Sequence, residues 1–128
     1  MCSEEARFIA DHSDRIRTFL ASDLHRDGAD CMAELAQRLA GQRVLLSIDV
    51  DGLDPSVVPT TGTPEPGGLS WSQVGQILRT VCGAAGQVVA LDCTELAPRP
   101  HLHAADFTVA KLVYKAITHA LLPVGGES

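Results

Sequence analysis

Two short apolar runs, each closed by an aspartate, limit the fold of this chain more than anything else in it. Residues 43–49 read RVLLSID and residues 87–92 read QVVALD. Apolar runs this short and nearly unbroken are expected of strands buried on both faces, as in a parallel sheet. Between them, Ser70 stands three residues before Gln73, the pattern of a helix capping box. Val74, Ile77, Leu78 and Val81 then fall on one helical stripe, which Gly83 and Gly86 close. Strand, helix and strand in that order predict a right-handed crossover and a parallel pairing, so the fold class is α/β.

The flanking segments fit the same plan. Residues 4–12 read as a helix with Phe8, Ile9 and His12 on one side. Residues 15–20 alternate enough for a short strand, with a continued helix as the alternative. Residues 29–40 place Met32, Leu35, Ala36 and Leu39 on one stripe, and Gly41 ends that helix. Asp106 is the expected cap of a last helix whose stripe is Val109, Leu112, Val113, Ala116, Ile117 and Leu121, with Lys111 and Lys115 on its outer side. There is no internal repeat. Two strands, or three, make a small sheet, so the chain is expected to be part of a larger layer or to complete itself with a partner.

Composition narrows the functions. The chain has 128 residues, room for one modest domain, and 45% of them are hydrophobic, enough for a packed core. A net charge of -6 argues against nucleic acid and favours a metal or a cationic small molecule. Cys2, Cys31, Cys82 and Cys93 form no Cys-x-x-Cys pair and are expected to be reduced, mostly buried thiols in a cytoplasmic protein. The N-terminus has no basic region and no long apolar run, so neither a signal peptide nor a membrane span is expected there.

Ligands of open parallel sheets bind outside the carboxyl ends of the strands. Both strands end in acid here: Asp49 and Asp51 after the first, Asp92 and Glu95 after the second. Strand alternation would point Asp49 and Asp51 the same way. Four carboxylates on one edge raise one another's pKa unless a cation joins them. Mg, Ca or Mn would suit such oxygen ligands, and a guanidinium fork would also match a carboxylate. The plainer alternatives are a turn at Asp54-Pro55, a solvated Glu95, turn roles for Thr60, Thr61 and Thr63, and exposed loop histidines at His101 and His103. Trp71 is read as a packing residue.

The whole string at residues 47–69, SIDVDGLDPSVVPTTGTPEPGGL, resembles the signature of the ureohydrolase family, which includes arginase, agmatinase and formiminoglutamase. LDCTELAP and ADFTVAKLVYKAI downstream resemble that family's later strand and closing helix, the latter as in agmatinase-like members. The resemblance implies a three-layer parallel sheet with helices on both faces, of which residues 1–128 would be the C-terminal portion. It implies that Asp49 and Asp51 bind a binuclear manganese centre, that Glu95 receives the guanidinium group of the substrate, and that Thr63 lines the substrate site. Asp92 and Asp54 match nearby structural acids. The implied reaction is attack of a metal-activated hydroxide on the guanidinium carbon with release of urea.

The resemblance also calls for an upstream histidine and an Asp-x-His-x-Asp cluster. Asp23, His25 and Asp27 have that spacing but lie in a polar stretch where the family has an outer helix or loop. Without such a cluster, Asp49 and Asp51 cannot satisfy two ions that each want about five or six ligands. The expectations are therefore a manganese-dependent, agmatinase-like hydrolase or, alternatively, a catalytically inactive module of the same fold. No nucleic-acid or membrane partner is expected, and self-association is.

Overall fold

The computed structural model describes residues 2–122. Its elements are α1 (Ser3–Asp11), α2 (Ala21–Leu39), β1 (Arg43–Asp49), a single 3-10 turn (Val50–Gly52), α3 (Trp71–Ala84), β2 (Gln87–Thr94) and α4 (His103–Leu121). β1 and β2 pair in parallel, with Ser47 opposite Asp92 and Asp49 opposite Thr94. A register shift after Val44 leaves Val89 without an opposite residue, so Leu45 faces Ala90.

The crossover helix α3 begins as its sequence requires. Ser70 Oγ accepts from Gln73 N at 3.3 Å, and Gln73 Oε1 accepts from Ser70 N at 2.9 Å. Val74, Leu78 and Val81 are buried. Val74 and Leu78 join Ile48, Val50, Leu53 and Val58 from the first strand and its following loop, and Val109, Leu112 and Ala116 from α4. α2 packs on α3, α3 on α4, and α4 on β2.

Several expectations change. Residues 15–20 form neither a strand nor a helix. Among the described residues they have no strand to pair with; Arg17 instead donates to both oxygens of Glu34 on α2, at 2.7 and 2.8 Å, and stacks over Phe19. α2 starts eight residues earlier than expected and takes in the Asp23–Asp27 stretch, with a kink at Asp27. α3 runs through Gly83 to Ala84, and Gly86 instead packs so closely on Gly41 that a Cβ there would stand 2.6 Å from Gly41 O. Asp106 does not cap α4: the helix starts at His103, and Asp106 lies in its first turn. The outer end of the α4 stripe, Ile117 and Leu121, is exposed.

The strands are covered on one face. Leu46, Ile48, Leu91 and Cys93 meet the helices, while Leu45, Ser47 and Asp49 with Ala90, Asp92 and Thr94 are exposed. Leu45 is 62% exposed. The cysteines are all free, as expected, but only Cys31 is buried. No helix among the described residues is long and apolar enough to cross a membrane.

Candidate functional site

The site forms where β1 ends. The strand stops at Asp49, and the chain turns at once through the 3-10 turn, so Asp51 sits on that turn and not on the strand. Strand alternation therefore does not set its direction. Asp49 caps the turn, its Oδ1 accepting from Asp51 N at 3.0 Å. A carboxylate is a good cap because it satisfies an N–H that the short turn leaves unpaired.

Residues 54–69 then fold back as a pinned loop. Asp54 accepts from Ser56 N and Gly67 N, both at 2.9 Å, which joins the loop's two ends. These bonds hold its carboxyl below the usual range, the Ser56 bonds contributing first. Leu53 bridges to Leu69, and Gly68 is needed there, since a Cβ would lie 2.7 Å from Asp54 N. The tip is tied to the segment after β2: Thr61 bridges to Leu96, and Ala97 N donates to Thr60 O at 2.9 Å. Thr60 and Thr61 are buried.

These ties bring three of the expected residues around one loop. Thr63 Oγ1 donates to Asp51 Oδ2. The Thr63 hydroxyl holds the Asp51 carboxyl below its ordinary range against the opposing effect of burial. Asp51 Oδ1 is buried with no hydrogen-bond partner among the described residues. Glu95 lies just past β2 with φ 67°, a left-handed conformation that non-glycine residues rarely hold. Its Oε2 stands 3.8 Å from where a Cβ on Gly62 would be, so the loop tip and Glu95 are neighbours.

The four-acid convergence does not form. Asp92 is taken up by Ser47, whose Oγ donates to it at 2.6 Å across the sheet. Cys93, one position on, has its thiol pushed up first by burial and then by the charges of Asp92 and Asp49. Asp23 accepts from Arg26 at 3.0 Å and Asp27 from the same side chain at 2.6 Å. On a helix His25 is turned roughly 200° from Asp23, so the three cannot share an ion. His101 and His103 are exposed. Among the described residues no group of three or more His, Cys, Asp and Glu is arranged to hold a metal ion.

The residues present still fit a hard cation from one side. An orphaned, buried carboxylate oxygen is costly unless a cation or donor meets it, and Asp51 Oδ1 is such an atom, one short turn from exposed Asp49. They do not complete a coordination shell. Sequence reading missed the Ser47–Asp92 bond, although each stands two residues before a strand-end residue and the register could have been drawn from that spacing. It also missed the tie between the loop tip and residues 96–97, which no local pattern announces.

A crossover α/β unit of parallel strands defines an open-sheet protein, a class in which ligands lie outside the carboxyl ends of the strands. Within that class the chain belongs to the arginase family, whose model matches residues 2–119. It is 44% identical over 102 residues to an N(1)-aminopropylagmatine ureohydrolase of Thermus thermophilus, covering 80% of this chain and 33% of that protein. It is 37% identical over 128 residues to the enzyme of that name from Synechocystis, covering 100% of this chain and 39% of that one. The arginase of Bacillus subtilis superposes with a TM-score of 0.79 at 26% identity, over 94% of this chain and 43% of its own. The arginase-like α/β fold is thus established, and the chain spans about a third to two fifths of the curated relatives it matches.

Proposed function

We propose that this chain provides one wall of the active site of a manganese-dependent, agmatinase-like hydrolase that releases urea from a guanidino compound; the ureohydrolase and agmatinase names of its relatives support the reaction class. The observation that carries the reading is the joining of Asp51, Thr63 and Glu95 around a single pinned loop at the end of β1. Asp49 and Asp51 would bind the metal ions through hard oxygen donors. Bound metal would supply Lewis-acid activation of water for attack on the guanidinium carbon. Glu95, exposed and aimed over the loop tip, would hold the planar guanidinium through paired charge-assisted hydrogen bonds. Among the described residues no further ligand stands beside Asp49 and Asp51.

Residues 1–128 form part of one domain in this reading, at work in a reducing cytoplasm and self-associating through surfaces that the small core leaves bare. A second reading, an inactive module of the same fold, is favoured by one observation: among the described residues no third ligand joins Asp49 and Asp51. Urea release from agmatine and from N(1)-aminopropylagmatine with added Mn2+ separates the two. Urea release above the metal blank would sink the inactive-module reading, and Asp49→Ala and Glu95→Ala would then each lower it by roughly a hundredfold, in line with the loss of metal-ligand and charge-pairing groups. No release from the wild-type chain would favour the inactive module, and activity surviving in either variant would overturn the site assignment.

A further inference from the structure

The first helix, α1, is left bare by its own chain. It has 9 residues, and none of its side chains is buried. A free helix of that length is marginal in water, so α1 needs a surface to pack on. The close packing runs through α2, α3, α4 and the two strands and leaves α1 out. One face of α1 carries Glu4, Glu5, Phe8 and Ile9, each carboxylate one turn before an apolar side chain. Phe8 has His12 against one side of its ring and is still 57% exposed. The last helix, α4, carries the complementary pattern. Phe107, Lys111 and Tyr114 stand four and three residues apart and share a face. Phe107 is 65% exposed and Tyr114 66%. Among the described residues Lys111 pairs with no carboxylate. Its ammonium rests 5.4 Å from the centre of the Phe107 ring and 5.8 Å from that of Tyr114. Phe107, Thr108 and Lys111, with Ser56, Val57 and Trp71, line a groove of about 410 Å³.

We propose that α1 of one copy docks on the Phe107–Tyr114 face of α4 in a second copy, with Phe8 entering the groove beside Trp71 and with Glu4 and Glu5 meeting Lys111. The lengths agree, since α1 rises about 13 Å and the stretch from Phe107 to Tyr114 about 11 Å. Charge chooses between the two bare apolar surfaces. The open face of the sheet carries Asp49 and Asp92, which would repel the acids of α1. The α4 face carries Lys111 and, one turn on, Lys115. The contact joins unlike surfaces, so it repeats head to tail between copies. Self-association would thus have a specific contact, independent of whether the chain is a hydrolase. Amide hydrogen exchange at residues 3–11 of the full chain is followed from dilute to concentrated protein, beside sedimentation equilibrium. Exchange there is expected to slow as copies associate. Lys111→Glu, and separately Glu4→Lys with Glu5→Lys, should each weaken association about tenfold, because like charges then face each other. High salt should narrow both effects. Combining the two changes should bring association back to within about threefold of wild type, and the protection of residues 3–11 with it. Circular dichroism checks that each variant is folded. If Glu4→Lys with Glu5→Lys unwinds α1, Lys111→Glu and Phe107→Ser, which leave α1 untouched, carry the test: each should keep residues 3–11 in faster exchange than wild type in concentrated protein. Protection that is equal at every concentration would mean that the chain covers its own α1, and overturns the proposal. Association that leaves residues 3–11 in fast exchange overturns it as well, by moving the contact to the open sheet face. Absence of association, or a charge exchange that restores nothing while α1 stays helical, does the same.

Discussion

At the scale of single residues, a pH dependence of stability can be read at Glu34 on α2, outside the candidate site. Glu34 accepts from Arg17 and, at 3.1 Å, from Arg38, one helical turn along. The Arg17 bonds come first among the causes that lower its carboxyl from 4.5 to about 2. A depressed folded-state pKa means that the unfolded chain takes up a proton before the folded one does. The stabilisation is therefore complete above about pH 4.5 and lost as pH falls toward 2. The group is solvent-facing, so the effect is modest and weakens in salt. Urea midpoints measured at pH 6, 4 and 2.5 should fall less steeply in Glu34→Gln than in wild type, and 1 M NaCl should narrow the gap. The same network holds residues 16–20 onto α2, which is why an alternating stretch that looked like a strand is not one.

At the scale of elements, what was legible was what is local. β1 has its expected limits, and α3 starts directly after its cap Ser70 because the capping box is complete within four residues. Ser70→Ala should cost about 1 kcal/mol in denaturant unfolding, with Gln73→Ala costing less because it removes only the return bond. The start of α4 was misplaced because Asp106 has the composition of a cap while the helix enters three residues earlier from the loop that holds His101 at φ 70°. The candidate site was legible in part. Asp49, Asp51, Thr63 and Glu95 could be named from a consecutive string and its downstream echo. That Thr63 bonds Asp51, and that Ser47 takes up Asp92, depends on strand register and on a loop fold-back that spans 12 and 45 residues, and no short-range pattern carries such information.

At the scale of the whole molecule, the unfinished sheet is the governing fact. Parallel strands are stable when both faces are covered, and here α3 and α4 cover one. The other presents Leu45, 62% exposed, beside Val89 at the register shift, 43% exposed, and both strands have an open edge. Water against this surface costs free energy on the order of 25 cal/mol per Å² of apolar area, and open parallel edges offer backbone groups for pairing. The 128-residue chain is therefore expected to self-associate through this face when nothing else covers it. Leu45→Lys with Val89→Lys should lower the average mass in sedimentation equilibrium and reduce binding of a hydrophobic dye. The thermal midpoint extrapolated to low protein concentration should stay within a few degrees of wild type, because neither side chain is packed in the core. An unchanged mass in the double variant would move the contact to the exposed α4 residues Phe107, Tyr114 and Leu121, where the corresponding lysine substitutions would then reduce it.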